Sequence, residues 1–365
     1  KSLPPVVSPI DEHYFKGLNF LLNEQPDAAI DAFINALEVN SDTLDTHVAL
    51  GNLLRKRGEV DRAIRIHQNL LARPGLTLNQ IQYAQYELAT DFVKAGLLDR
   101  AESLLTDLVS QDGSYKLQSL KRLLEIYRDE KEWQLGLGIL QKLSGSRLSR
   151  HYDEWVSVRA HFCCELAEEK IIQLDYLAAR QWLKQALSYD KRSMRAGLLM
   201  GRLEIAVGDF SKGLVQLKKV ASQHMEYMAE IIPCLSAAYE GLDDTEGYRA
   251  FLLHLYALSP DPLIAIELAD IIAKTESQLA AAKYISTEVV KHPSAAGLYQ
   301  LLGYYLDFSQ GETKEYLESL ESVMTTVISN HVSYQCRHCG FKVKKLHWLC
   351  PSCKKWEAIK PLTSG

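Results

Sequence analysis

Asp61-Arg62-Ala63-Ile64 restates Asp27-Ala28-Ala29-Ile30 further down the chain, position 27 mapping onto position 61. Gly17 and Gly51 keep that offset, as do the apolar Ala36 and Leu70. Residues of one size class returning under a constant period mark a structural repeat, and that signal outranks any local propensity. Carried outward from this stretch, repeats begin near Ile10, Leu44, Gln82, Leu117, Ala160, Met194, Ala229, Pro262 and Ala296.

A period of about 34 residues is that of the tetratricopeptide repeat, a pair of antiparallel helices per unit. Its small residues sit where the two helices cross, since larger side chains would force the backbones apart. The second-helix small column reads Ala29, Ala63, Ala101, Gly136, Ala179, Gly213 and Ala281. Four residues on, one helical turn along the same face, come Phe33, His67, Leu105, Leu140, Leu183, Leu217 and Ile285. The first-helix small column reads Gly17, Gly51, Ala89, Ala167, Gly201, Ala269 and Gly303. Tyr248 and Glu315 interrupt the pattern in repeats seven and nine. The expectation is all-α: a tetratricopeptide-repeat superhelical solenoid of about nine helix pairs over residues 10–331.

Two spacings are long. The extra residues before the third repeat fall at the turn-rich Pro74-Gly75-Leu76-Thr77. Those before the fifth fall around Ser144-Gly145-Ser146-Arg147, so a hinge between two subarrays is expected over 144–154.

The apolar stripes of such an array form its continuous core, because each repeat buries a face on the next. The concave surface stays free, lined by first-helix positions outside the small columns. Asn52, Arg55 and Lys56 in repeat two, and Arg195 and Arg202 in repeat six, are the partner-binding candidates. Amide, ammonium and guanidinium donors suit peptide carboxylates and carbonyls. The same residues also read as an ordinary solvated helix face.

Composition agrees with a helical body. With 24% charged and 47% hydrophobic residues the chain is of folded rather than disordered type. Glycine and proline together number only 31 (20 plus 11), which disfavours a many-stranded β fold. No apolar run approaches the roughly 18 residues that span a bilayer. The chain opens at Lys1 without a methionine, and an upstream segment is expected to have been removed.

The seven cysteines are unevenly placed. Cys336-Arg337-His338-Cys339-Gly340-Phe341 and Cys350-Pro351-Ser352-Cys353 form two CxxC knuckles near the end of the chain. Two residues between cysteines let a tight turn aim both thiolates at one ion. Gly340 supplies the positive φ such a turn needs, and Pro351 stiffens the second. Cys336, Cys339, Cys350 and Cys353 are therefore expected to hold one tetrahedral metal ion, zinc or iron, in a small module over 332–365. Unaided, about 30 residues have too little core to fold. His338 and His347 lie nearby, but four sulfurs already complete the shell, so both are read as structural or exposed.

From Cys336 to Gly365 there are seven Lys/Arg and one acid, Glu357, giving +6 against −11 for residues 1–335 (−5 minus 6). With Trp348, Trp356 and Phe341 interleaved, the tail is compatible with a nucleic-acid-binding zinc ribbon. Two other accounts compete: cations that offset the thiolate charge, and a basic module docked on an acidic solenoid with the tryptophans at the seam. Docking is the favoured reading, and no nucleic-acid partner is expected.

Cys163, Cys164 and Cys234 sit in apolar helix positions and read as buried. His161, three residues from Cys164, shares its helix face, but no third group orients the two. HExxH, a phosphate-binding glycine loop and GxSxG are all absent from the sequence.

Arg57-Gly58-Glu59-Val60-Asp61-Arg62-Ala63-Ile64-Arg65-Ile66-His67-Gln68, the first knuckle, and Trp348-x-Cys350-Pro351-Ser352-Cys353-x-x-Trp356 followed by Ile359-Lys360-Pro361 resemble the lipopolysaccharide assembly protein B family of Gram-negative bacteria. The likeness runs from about residue 11 to the end. It implies an N-terminal transmembrane anchor, with residues 1–9 as the linker after it, a cytoplasmic repeat array, and a rubredoxin-type metal domain against the array. It further implies an adaptor at the cytoplasmic face of the inner membrane that brings the deacetylase LpxC to the protease FtsH and so restrains lipopolysaccharide synthesis. The four cysteines carry over as metal ligands; no catalytic residue does.

Two departures from the family pattern stand out. No anchoring helix is read in this chain, and only ten residues separate the knuckles, with Lys354 where rubredoxins place a second glycine. A structural ion is therefore expected over an electron-transfer centre. The leading expectation is a non-enzymatic scaffold. The alternatives are a redox protein with an iron–tetrathiolate centre and a nucleic-acid-binding zinc ribbon.

Overall fold

The computed structural model describes residues 44–111, 113–144, 152–330 and 333–362, together with scattered positions between 15 and 32. The first repeat's columns (Ala29, Phe33), the linker over 1–9 and most of the expected hinge, residues 145–151, lie outside the described residues. The chain divides into two compact units, Lys1–Ser149 and Arg150–Gly365.

In the first unit the helices run α1 (Leu44–Arg57), α2 (Val60–Leu71), α3 (Leu78–Ala95), α4 (Leu98–Ser110), α5 (Lys116–Asp129) and α6 (Trp133–Ser144). In the second they run α7 (Tyr152–Ile172), α8 (Tyr176–Tyr189), α9 (Met194–Ala206), α10 (Phe210–Gln223), α11 (Met228–Leu242), α12 (Thr245–Leu258), α13 (Pro262–Thr275), α14 (Gln278–Lys291), α15 (Ala295–Phe308) and α16 (Glu312–Asn330). Three short strands follow: β1 (Tyr334–Cys336), β2 (Lys342–Val343) and β3 (Ile359–Pro361). The sixteen α-helices just given make eight consecutive pairs, repeats two to nine of the expected array, in a tetratricopeptide-repeat arrangement.

Helix starts are chemically marked. Asp175, Ser193, Asp209, Asp244, Ser277 and Ser294 each accept a backbone N–H three residues on, capping α8, α9, α10, α12, α14 and α15. Asp261 caps α13, whose first residue is Pro262, a position where a missing N–H costs nothing. Thr77 and Gln80 form a reciprocal capping box at α3, and Gly96 ends that helix with φ of 75°.

The expected turn at 74–77 is present, and the extra residues that follow it extend α3 to 18 residues. The longer insertion before repeat five is at least partly helical, because α7 begins at Tyr152 and reaches 21 residues.

Within a pair the small and large columns interlock. A Cβ on Gly51 would collide with the His67 ring, and one on Gly201 would meet Leu217 Cγ at 2.6 Å. The large residue of the second helix thus enters the space the first-helix glycine leaves, at the same sequence separation in both pairs (51 to 67, 201 to 217). Ala63, Ala101, Ala179 and Ala281 of the small column are fully buried, as are Leu105, Leu140, Leu183 and Leu217 of the large one.

Tyr248 shows how the interruption in repeat seven is absorbed. Its ring stacks on Tyr239 of α11 at 4.8 Å between centroids, and its hydroxyl donates to Glu267 Oε1 at 3.0 Å. The next knob, Leu252, is fully buried as the column requires. In the last pair the interlock is missing: Glu315 is exposed and the space beside Gly303 is open.

Candidate metal centre

The C-terminal strands form an antiparallel sheet of order β2-β1-β3, with Tyr334 opposite Val343 on one side and Pro361 on the other. The first knuckle joins β1 to β2. The second is closed by a bridge between Leu349 and Trp356.

The knuckles repeat one hydrogen-bond pattern, Cys350 standing in the second where Cys336 stands in the first. Cys336 N–H donates to Phe341 O at 2.8 Å and Gly340 N–H to Cys336 O at 2.9 Å. Cys350 N–H donates to Lys355 O at 3.0 Å and Lys354 N–H to Cys350 O at 2.9 Å. Both turns need a left-handed residue: Gly340 has φ of 76°, as expected, and Lys354 adopts 56° despite its side chain. Cys339 N–H also points at Cys336 Sγ, 3.5 Å away.

The four sulfurs converge, all lying within 4.8 Å of one another. Cys336–Cys353 and Cys339–Cys350 are each 3.7 Å apart, far longer than a disulfide. A tetrahedral ion with metal–sulfur bonds of ~2.3 Å requires sulfur edges of ~3.8 Å. The donor set therefore fits a tetrathiolate metal site. Phe341 N–H pulls the Cys339 thiol down to about 6, while loss of solvent pushes Cys353 up to about 12. A bound cation would supply the charge that favours four thiolates in one place, and would tie the two turns together. No second cluster of three or more candidate ligands occurs among the described residues, and His338 and His347 are exposed.

The module docks on the helices of its own unit. Trp356 lies flat on His161 of α7, centroids 4.6 Å apart and planes 13° apart, with its edge toward Phe162 at 6.0 Å. Trp348 packs beside Tyr227, which precedes α11, at 6.3 Å. The Arg195 guanidinium of α9 sits over both tryptophans, 5.9 Å from Trp348 and 5.8 Å from Trp356. Tyr334 donates to Glu230 Oε1 at 2.9 Å, and Lys360 lies over the Tyr227 ring at 5.3 Å.

His161 is fully buried, its Nε2 3.1 Å from Glu357 Oε1. Burial pushes its pKa below the ordinary histidine value, against the opposing pull of Glu357. Burial acts to raise the Glu357 pKa, but His161 and Ser157 outweigh it and hold the carboxyl low. Two of the three aromatic residues that admitted a nucleic-acid reading, Trp348 and Trp356, are thus spent on the seam, while Phe341 is exposed. Cys163 and Cys164 are buried beside it, their thiols pushed up by desolvation, which suits inert packing residues.

The five concave-face candidates have different surroundings. Lys56 is exposed and Asn52 half-buried, its Oδ1 lacking a hydrogen-bond partner. Arg202 is half-exposed, with Nε 3.2 Å from Cys234 Sγ and Nη2 3.7 Å from Glu230. Arg55 is engaged inside the first unit, bonded to Glu87 and Asp91 at 2.7 Å each. Arg195 is buried and paired with Glu165 and Glu168 at 2.8 Å each.

Two features were missed in the sequence. His67, placed there as one more large knob, bonds Asp91 at 2.5 Å with both side chains fully buried, so Asp91 joins it to Arg55 and Glu87. The seam roles of His161 and Glu357 also went unread, although Glu357 is the single acid in a basic tail. No helix among the described residues is long and apolar enough to cross a membrane.

The rubredoxin metal binding domain family matches residues 334–361. The chain is 35% identical over 354 residues to Lipopolysaccharide assembly protein B of Escherichia coli K12, covering 97% of this chain and 90% of that protein. It is 31% identical over 373 residues to a protein of the same name from Haemophilus influenzae, covering 100% of this chain and 93% of that one. A solved tetratricopeptide repeat protein from Parabacteroides merdae overlaps with a TM-score of 0.35 and 15% identity, covering 78% of this chain and 100% of that one. An overlap that low leaves the helix pairing above to carry the fold.

Proposed function

The chain belongs to the lipopolysaccharide assembly protein B family, and on that footing we propose that it is a non-enzymatic adaptor in lipopolysaccharide assembly. In this reading it brings the deacetylase LpxC to the protease FtsH at the cytoplasmic face of the inner membrane. Degradation of LpxC then limits the supply of lipid A precursor.

The observation that carries the proposal is the seam. A metal module is held against a stack of helix pairs by Trp348, Trp356 and Glu357, through ring contacts and the approach of Glu357 to the buried His161 imidazole. Its ion is structural in this reading, zinc or iron held by Cys336, Cys339, Cys350 and Cys353. It keeps the second knuckle, and the two tryptophans that flank it, in docking position. Arg195 and Arg55 order the array from within, while Lys56, Asn52 and Arg202 remain the concave-face contacts for partner carboxylates and carbonyls.

Affinity purification from membranes tests this directly, with the full chain and a chain lacking residues 332–365 as baits. FtsH and LpxC are expected to co-purify with the full chain and to be depleted from the truncated one. Failure of the full chain to retain either protein would overturn the adaptor reading.

A further inference from the structure

The last helix pair leaves uncovered the faces that earlier pairs bury. On α16, Tyr316, Leu320 and Val323 are 71%, 50% and 59% exposed. One period earlier on α14 the same positions are Ala282, Ser286 and Val289, of which Ala282 is 3% and Val289 9% exposed. On α15, Leu298 and Tyr305 are exposed, whereas their α13 equivalents Ile264 and Ile271 are buried. For α14 it is the next pair that covers these positions, since Val289 reaches Gly297 of α15; Ile264 and Ile271 of α13 are buried instead with α11 and α12 of the preceding pair. The metal module does not cap this end: Tyr334 and the two tryptophans contact α7, α9 and α11 or the turn before it.

We propose that this open end is a self-association surface, occupied by α16 of a second copy of the chain in an antiparallel, two-fold arrangement. Tyr316, Leu320, Val323 and Val327 recur at intervals of four, three and four residues, the spacing of a helix–helix seam. Val327, 55% exposed, extends that seam beyond anything a further repeat would cover, because its α14 equivalent is Pro293, past the helix end at Lys291.

Charge selects the orientation. Glu312, Glu315, Glu318 and Glu321 fill the first half of α16 with Lys314 as the one base, while Ser322–Asn330 carries no charge. Antiparallel pairing sets each acidic half against the uncharged half of its mate, and parallel pairing would set acid against acid. A two-fold axis between Leu320 and Val323 makes the contact self-complementary. The four exposed apolar side chains of α16 offer roughly 400 Å² per copy, about half of the ~800 Å² per partner of a standard interface.

Sedimentation of the metal-loaded chain at tens of micromolar tests the proposal. The expected species has twice the 41.2 kDa chain mass. Leu320→Glu combined with Val323→Glu is expected to return it to monomer, with helical content and bound metal unchanged because both sites are exposed. The milder Leu320→Ala, Val323→Ala pair is expected to raise the dissociation constant roughly tenfold or more. A wild-type chain that stays monomeric over this range, whatever other helix its end then accepts, would overturn the proposal. So would a dimer indifferent to both pairs.

Discussion

His161 of α7 and Trp356 of the metal module lie ring on ring, 4.6 Å apart and 13° from parallel, though most of the second unit's sequence runs between them. With Arg195 above both tryptophans and Glu357 against the imidazole, this stack is the centre of the seam. Trp356→Ala removes the largest apolar contact there. It is expected to cost about 2–3 kcal/mol in urea unfolding of the second unit. Limited proteolysis should then cut the stretch between α16 and β1 while the module keeps its metal. An unchanged urea midpoint would place the seam's stability elsewhere.

Acid should loosen the same seam. The folded-state pKa of His161 is lowered, first by burial, so the unfolded chain binds the proton more readily. Its contribution is fully present above the ordinary value near 6.5 and is lost as pH falls below it. Glu357, also lowered, adds a loss of the same sign below about 4.5. Arg195 and Glu165 face His161 from α9 and α7, one opposing its protonation and the other favouring it. Thermal unfolding of the second unit between pH 7.5 and 5.5 should show a downward trend that His161→Phe flattens. An equally steep trend in the variant would assign the effect to another group.

Lys354 and Gly340 occupy matched left-handed positions in the two knuckles, and only one is a glycine. Lys354→Gly is expected to stabilise the module by about 1 kcal/mol and Gly340→Ala to destabilise it by a similar amount. Resistance of the bound metal to a chelator should move in the same two directions. A Lys354→Gly chain that loses metal faster would show that the side chain itself protects the site.

The small-residue columns make opposite predictions at two glycines. Gly201→Ala must displace Leu217 and is expected to cost roughly 1–3 kcal/mol. Gly303→Ala meets open space and should be neutral or stabilising by up to about 1 kcal/mol, through helix propensity alone. Thermal midpoints of the two variants check this. Equal destabilisation would mean that the last pair closes like the others.

Those columns were legible because a repeat writes the same contact many times. Gly51 against His67 and Gly201 against Leu217 follow from one period, and the residue types alone carry it. The two knuckles were legible for a similar reason: thiolate spacing and turn residues are local. Contacts between repeats and between modules were less so. Asp91 meets His67 from the next repeat only because α3 presents it to α2, and nothing in either helix's own pattern marks the match. Arg195 read as a concave-face cation, yet Glu165, Glu168 and two tryptophan rings surround it. The basic tail suggested docking on an acidic body, but which helices receive it depends on where the array carries α7, α9 and α11. The open end at α16 escaped notice because Tyr316, Leu320 and Val323 look like any other core stripe until the missing neighbour is seen.

The most direct measurement of the adaptor reading is the rate at which FtsH, reconstituted in membranes, degrades LpxC with and without the metal-loaded chain. The expected result is faster degradation when the chain is present, with the gain lost in Cys336→Ser/Cys339→Ser and reduced in Trp356→Ala. An LpxC degradation rate that is the same with and without the chain would contradict it.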